Sequence, residues 1–403
     1  MHLMVILAML FSTLSFAQTE PGITIADVQK LVDEKLASKW YEKLSLRGYA
    51  QFRYNRLAET NRDLNCQSCD RSIGDRQGFF MRRARLIISG QVHDRVFVYI
   101  QPDYASDATS QNYFQMRDAY FDYGLTASNE WRIRSGLSKL PFGFENLQSS
   151  SNRAPLDRAD ALNTAAPNER DIGVFLMYAP TEMRKLFREL STANNKGSGD
   201  YGLISIGAYN GQTLNRRERN NDLHRIVRLT YPHKFANGQI VEASIQAYEG
   251  KFFVEKATGS TAGNLDRDFY DGRQALTFVL YPKPFGIQAE WNQGRGPTFS
   301  RAQNKVVTDD LSGGYVIASY QIEQGANRYF PFVRWQEFEG GRKIENAAFG
   351  RVREWEIGTE WQPNAAFELT ASYVISDRLI QSQLSNRYHE QGNLIRLQAQ
   401  FNY

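Results

Sequence analysis

The side chains best suited to chemistry in this chain are its arginines, 35 of them against 13 lysines. A guanidinium stays charged in any surroundings and grips phosphate or carboxylate through two parallel hydrogen bonds, so arginines ranged along one surface select for oxyanions. Arg47, Arg53, Arg83, Arg85, Arg132 and Arg134 share one face of the early apolar-polar alternating segments. Glu242, Glu290, Glu354, Glu356, Glu360 and Glu368 fall on the corresponding face of later ones. Other chemistry is sparse. The histidines are scattered without metal-ligand spacing, and no nucleophile elbow, Walker loop or dinucleotide fingerprint occurs, so neither an enzyme nor a cofactor is expected. Cys66 and Cys69 form a Cys-x-x-Cys. Outside the cytoplasm that spacing favours a local disulfide clamping a loop over half of a metal site, and the strand-helix-strand setting of a redox motif is missing. Glu354, Glu356 and Glu360 beside Trp355 and Trp361 supply the alternative, a secreted soluble β-protein that binds or hydrolyses carbohydrate with an acid pair next to sugar-stacking rings. Alternation argues against it, because it sets the acids and the tryptophans on opposite faces.

The elements that position these side chains are strands. In 403 residues, with 42% hydrophobic content and a mean hydropathy of -0.52, no apolar run beyond the N-terminus is long enough for a membrane-crossing helix. The aromatic content of 13% and the net charge of +4 exclude a disordered chain. From Leu46 to the last residue the period is two. Ile395, Leu397, Ala399, Phe401 and Tyr403 alternate with Arg396, Gln398, Gln400 and Asn402, and Trp355, Ile357, Thr359 and Trp361 alternate with Glu354, Glu356, Gly358 and Glu360. About sixteen such segments follow one another, each near the ~10 residues that a tilted strand needs to cross a bilayer. Short links such as Gln91–Asp94, Leu125–Asn129, Pro282–Gly286 and Pro363–Ala365 take turns with long ones such as Glu59–Arg76, Lys251–Gly272, Gly294–Ser312 and Asp377–Gln391. That asymmetry predicts a closed antiparallel transmembrane β-barrel, all-β in class, with both ends of its chain on one side of the membrane. The link Thr181–Asp200 falls on the short side yet runs long, with a helical pattern over Glu182–Leu190. The arginine face and the glutamate face predict a basic wall opposite a largely acidic one.

The N-terminus differs. Leu3–Phe16 is apolar but too short to span, and small residues at Ser15 and Ala17 predict a signal peptide over residues 1–17. Residues 18–45 precede the barrel, and the spacing of Ile25, Val28, Leu31, Val32, Leu36 and Trp40 is helical. Two readings of that helix stand, one packed on the main domain and one a short coiled coil that assembles subunits. The barrel is expected over 46–403.

Four runs carry a family resemblance: Arg47-Gly48-Tyr49-Ala50-Gln51-Phe52-Arg53, Met81-Arg82-Arg83-Ala84-Arg85-Leu86, Arg117-Asp118-Ala119-Tyr120 and Gly136 through Glu145. Together they resemble the phosphate-selective porin O and P family, from about Leu46 to Tyr403 and most densely before Met177. The resemblance implies a sixteen-stranded trimeric porin of the bacterial outer membrane, with the lipid bilayer and small anions as its partners. It also implies that a third long loop, here residues 140–170, folds into the barrel as a constriction. Ser149 and Ser150 match a serine pair that touches anions there, Arg170 matches a constriction arginine, and Arg82 and Arg83 resemble the arginine pair facing the loop. By alternation alone Arg82 points toward lipid. Asn146 departs from the pattern, because strongly phosphate-selective members carry a lysine after the loop glutamate, and weaker phosphate selectivity is expected from it.

Overall fold

The computed structural model describes residues 24–26, 28–29, 40–64, 78–106, 112–192, 195–257, 267–382 and 388–403. The expected signal peptide, the greater part of the helical segment over 18–45, and Cys66 and Cys69 lie outside the described residues. The chain divides into two units, residues 1–43 and 44–403. In the first, Ile25, Ala26, Val28 and Gln29 are helical, and Trp40–Lys43 forms one 3-10 turn.

The second unit is one antiparallel sheet whose strands follow chain order. They are β1 (Leu44–Leu57), β2 (Phe80–His93), β3 (Val96–Ser106), β4 (Asn112–Gly124), β5 (Trp131–Lys139), β6 (Arg170–Tyr178), β7 (Ile204–Tyr209), β8 (His224–Lys234) and β9 (Ile240–Phe253). Then come β10 (Asp268–Leu280), β11 (Phe285–Ser300), β12 (Lys305–Tyr320), β13 (Ile322–Gln324), β14 (Asn327–Gly341), β15 (Phe349–Asn364), β16 (Phe367–Gln381) and β17 (Tyr388–Asn402). The three residues of β13 continue β12 past Gln321 along the same neighbour, β14, so the barrel has sixteen staves. The last strand pairs with the first, Tyr49 opposite Asn402 and Arg53 opposite Gln398. Closure leaves no open edge, as the hydrocarbon of a bilayer demands of any sheet that crosses it.

The alternation becomes two surfaces. Leu46, Phe52, Ile172, Val174, Leu276 and Trp355 are exposed on the outside, where lipid takes the place of a core. Gln51, Arg53, Arg85, Arg134, Glu242 and Glu356 are buried on the inside. Aromatic rings gather near the short-turn rim, among them Trp131 against Tyr178 at 4.6 Å and Phe367 against Phe401 at 5.2 Å between centroids. That is the level at which amphipathic rings sit on a membrane.

Two expected long loops are in fact paired strand. β11 reaches Ser300 and β12 begins at Lys305, with Arg295 opposite Asp310, and β16 runs to Gln381 opposite a β17 that begins at Tyr388. At these outer ends neighbouring residues of both faces are buried, Thr298 and Phe299 on β11 and Leu379 and Ile380 on β16, so pairing continues where the apolar-polar alternation has stopped. Arg82 also departs from alternation. The β1–β2 ladder slips by one residue between Gln51 opposite Arg83 and Phe52 opposite Met81, and Arg82 is the extra residue. Such a bulge breaks the period of two, and Arg82 is buried beside Arg83 instead of facing lipid.

Candidate functional site

Two segments fold into the barrel, one from each end. The first is the long link between β5 and β6, residues 140–169, carrying α1 (Phe144–Leu147) and α2 (Asp160–Ala165). Its Leu140, Phe142, Ala161, Leu162 and Ala165 pack against inward Phe175, Tyr248, Leu311, Tyr315 and Phe332. Gly143 holds φ at 78°, and a Cβ there would meet Leu162 Cδ1 at 2.5 Å, so only glycine lets α1 lie this close to α2. Glu290 on β11 accepts from the Phe144 and Glu145 backbone N–H groups at 2.6 and 2.8 Å, which ties the start of α1 to the wall. Asp160 lies 3.1 Å from Arg378, and Asp157 lies 2.9 Å from Arg53 and also pairs with Arg396.

The second segment is the β6–β7 link on the short-turn side, residues 179–203, with α3 (Thr181–Thr192). Leu186 and Leu190 of α3 pack with Phe144 of the first insert and with Ile240, Val279 and Tyr281 of the wall. Gln148 donates to the Lys196 carbonyl, and Asn152 Nδ2 donates to the Gly197 carbonyl at 3.1 Å. The helical pattern read over Glu182–Leu190 is therefore real, and it belongs to the short-turn end.

Beside these inserts a cavity of about 1000 Å³ remains. Arg47, Arg85, Arg134, Lys139 and Arg170 border it, together with Tyr49, Tyr99, Tyr120, Tyr201, Ser149, Ser151, Asp118, Asp200 and Glu368. Most of its cations are paired. Arg134 reaches both oxygens of Asp122, at 2.7 and 2.9 Å, and lies 4.0 Å over the Tyr120 ring. Arg170 donates to Asp118 at 2.9 Å and also pairs with Glu169. Arg85 donates to Tyr49 Oη at 2.7 Å and Ser150 Oγ at 2.8 Å, with Asp103 at 3.3 Å. Lys139 differs: its ammonium donates to the Leu147 and Gln148 carbonyls at 2.9 and 2.6 Å, and among the described residues it has no ion pair. Arg47 likewise has no ion pair among the described residues.

The residues singled out from the sequence thus part company. Arg85, Arg134, Ser149 and Arg170 border the cavity, and Ser150 sits behind it on Tyr49 and Arg85. Arg53 instead anchors the first insert, donating to Asp157 and to the Leu156 carbonyl, and Arg132 reaches Asp200 of the second at 2.6 Å. Arg82 and Arg83 are not among the residues bordering the cavity. Asn146 does not face it either. It is fully buried within the insert, donating to the Phe142 and Leu162 carbonyls and accepting from Arg158 at 2.7 Å. The picture of a basic wall facing an acidic one also gives way. Arg228, Arg334, Arg378 and Arg396 point inward among the later strands, and Arg334 lies 2.6 Å from Glu356 and 3.4 Å from Glu354. Sequence reasoning missed Asp103, Asp118 and Asp122, the partners of the early arginines, although each stands at an inward position of β3 or β4. It also missed Lys139 and the tyrosines. Glu354 and Glu356 are buried inside while Trp355 is half exposed outside, so no acid pair lies beside a sugar-stacking ring there.

A closed barrel with an apolar outer belt, a polar interior and folded-in loops defines a channel of the outer membrane, a porin. The model of the family described as phosphate-selective porin O and P matches residues 58–403, and the chain belongs to that family. No curated protein sequence matches it significantly. Solved structures similar in fold include the outer-membrane channel DcaP of Acinetobacter baumannii (16% identity, TM-score 0.53, covering 89% of this chain and 97% of that one). OmpF of Salmonella typhi in complex with daunomycin is similar at 13% identity and a TM-score of 0.56, over 91% and 99% of the two chains. An anion-selective porin from Comamonas acidovorans is similar at 10% identity and a TM-score of 0.53, over 89% and 99%.

Proposed function

We propose that this porin conducts small anions, phosphate and other oxyanions among them, by passive diffusion, and that it assembles as a homotrimer in the lipid bilayer. The observation that carries the reading is the charge at the cavity. Among the described residues Lys139 and Arg47 have no ion pair, and both border the cavity. A cation with no carboxylate in ion-pair contact keeps more of its field for the solute than one locked to a carboxylate, which is cancelled at short range. Ser149, Arg85 and Arg170 border the same space, so solute enters from the long-loop side, passes the first insert and leaves toward the periplasm. Weak holding suits this task, because conduction needs release as well as capture. Reversal potentials of the purified protein in planar bilayers under a KCl gradient test the reading. Chloride is expected to outrun potassium, and a preference for potassium overturns it. Heat-modifiable migration and cross-linking to a three-chain species test the folded barrel and the trimer.

A further inference from the structure

The β6–β7 insert brings a charge to a place the barrel wall leaves acidic. Glu360 and Glu368 both point inward from β15 and β16, and Glu368 borders the cavity at the short-turn mouth, where the neighbouring Glu323 is already paired with Arg328 at 3.1 Å. Lys196 reaches into this corner from the insert. Its ammonium lies 2.5 Å from Glu360 Oε1 and 4.5 Å from the centre of the Phe330 ring, a buried aromatic that faces inward. Both Glu360 and Lys196 act electrostatically on Glu368. The seat is held from the other side as well, because the first insert donates hydrogen bonds to the carbonyls of Lys196 and Gly197.

The backbone marks the same residue. Lys196 has φ 64°, in the left-handed region that residues with a Cβ enter only at a cost. Asn195 before it and Gly197 after it are the types that enter this region readily, so a turn alone had cheaper choices. Strain kept at one residue when its neighbours would take it more easily points to the side chain it positions.

We propose that Lys196 is a selectivity residue of this channel, cancelling Glu360, one of two clustered carboxylates, so that anions leaving the cavity pass Glu368 without the charge of Glu360 added to it. The proposal rests on the anion-conducting reading, and its test separates the two. In planar bilayers under a KCl gradient, Lys196→Gln is expected to lower the chloride-to-potassium permeability ratio several-fold from the wild-type value. Lys196→Arg keeps the wild-type ratio, and Glu360→Gln added to Lys196→Gln restores it. An unchanged ratio in Lys196→Gln overturns the proposal. So does a lowered ratio that Glu360→Gln fails to restore, since that outcome means a loosened insert and not a missing charge. Should Lys196→Gln fail to fold, shown by loss of heat-modifiable migration, Glu360→Gln alone decides: it leaves Lys196 unpaired and must raise the ratio, and an unchanged or lowered ratio overturns the proposal. A wild-type channel that prefers potassium defeats the anion reading instead, while the shift between wild type and variant still reads the role of Lys196.

Discussion

The two sides of the lumen are built on different principles. Along β6 to β14 the wall presents Phe175, Tyr248, Tyr315, Phe332 and Phe338 to the apolar face of the first insert, and these side chains form one buried cluster with it. Along β1 to β5 and β15 to β17 it presents arginines with their carboxylates, Arg85 with Asp103, Arg134 with Asp122, Arg378 with Glu354, and much of this side borders the cavity. The first side behaves like the core of a soluble protein placed inside a barrel. The difference teaches that an inward position is a place and not a polarity: the residue is apolar where an apolar face of an insert packs on it, and charged where water, solute or a carboxylate of an insert meets it, as Asp157 meets Arg53 and Asp160 meets Arg378.

The strongest way to break this comparison is to empty the packed side. Replacing residues 182–199 with a short glycine-serine link removes α3 and with it Leu186 and Leu190, which close the short-turn mouth against Ile240, Val279 and Tyr281. Single-channel conductance is expected to rise several-fold, because the cross-section open to ions grows on the side that is now filled. Wild-type conductance in a variant that still shows heat-modifiable migration would mean that α3 does not obstruct the pore.

A smaller change tests the packing itself. Phe142 is buried and meets the Tyr248 ring edge to face at 4.9 Å. Truncating a buried phenylalanine typically costs about 3–5 kcal/mol, and a closed barrel cannot collapse to fill the gap. Phe142→Ala is expected to weaken the seating of residues 140–169, read as faster amide hydrogen exchange there with the strands unchanged. Ser149→Ala, on the cavity side, has the Ser151 hydroxyl at 2.8 Å and the Ser151 N–H at 3.4 Å to lose, both within its own turn, and leaves exchange as it was. Equal exchange in the two variants would erase the contrast between the sides.

How far the sequence shows all this depends on what fixes each feature. A strand between lipid and water writes its fold into every second residue, so Ile395 to Tyr403 and Trp355 to Trp361 could be read directly. The signal fails where both faces share a medium, which hid the outer ends of β11, β12, β16 and β17. A bulge resets the count, which misplaced Arg82. The inward arginines were legible as positions, yet their partners lie across strand ladders or on the inserts. Nothing local in Arg53 announces Asp157, 104 residues away. Lys196 was the least visible, since one lysine in a glycine-rich link has no period to belong to.

Asn146 sharpens the point. Had it faced the pore, Asn146→Lys would add a charge at the constriction and strengthen phosphate block of chloride current. Inside the insert, its amide bridges the Phe142 and Leu162 carbonyls and its oxygen accepts from Arg158. A lysine there loses the acceptor and sets a second cation against Arg158, with a cost of roughly 3–5 kcal/mol for an unpaired buried charge. The expected result is noisier current with phosphate block no stronger than wild type. A quiet channel with stronger block would place residue 146 in the pore after all.

The smallest effect sets two carboxylates of the first insert against each other. Glu145 lies against the packed side, where burial pushes its carboxyl up to about 7 despite Arg334, Arg153 and the Ala159 N–H that it accepts at 2.8 Å. Burial also pushes Glu169 up, but Arg158, Arg170, Lys139 and Arg153 outweigh it and hold that carboxyl well below its ordinary value. The two therefore respond to pH with opposite signs. A carboxyl raised in the folded state stabilises the insert fully at pH below its unfolded value, and that contribution fades as pH rises through about 7. The lowered one contributes at every pH above its unfolded value and fades only in strong acid. Of these two, Glu145 is the one that changes state between pH 6 and pH 8, so the insert should seat more loosely at the upper end, seen as more frequent current fluctuations in single-channel records. Glu145→Gln keeps an acceptor for the Ala159 N–H and cannot titrate, so the rise in fluctuations between pH 6 and pH 8 should shrink in its record. A pH response that survives undiminished in Glu145→Gln would assign the titration to another group.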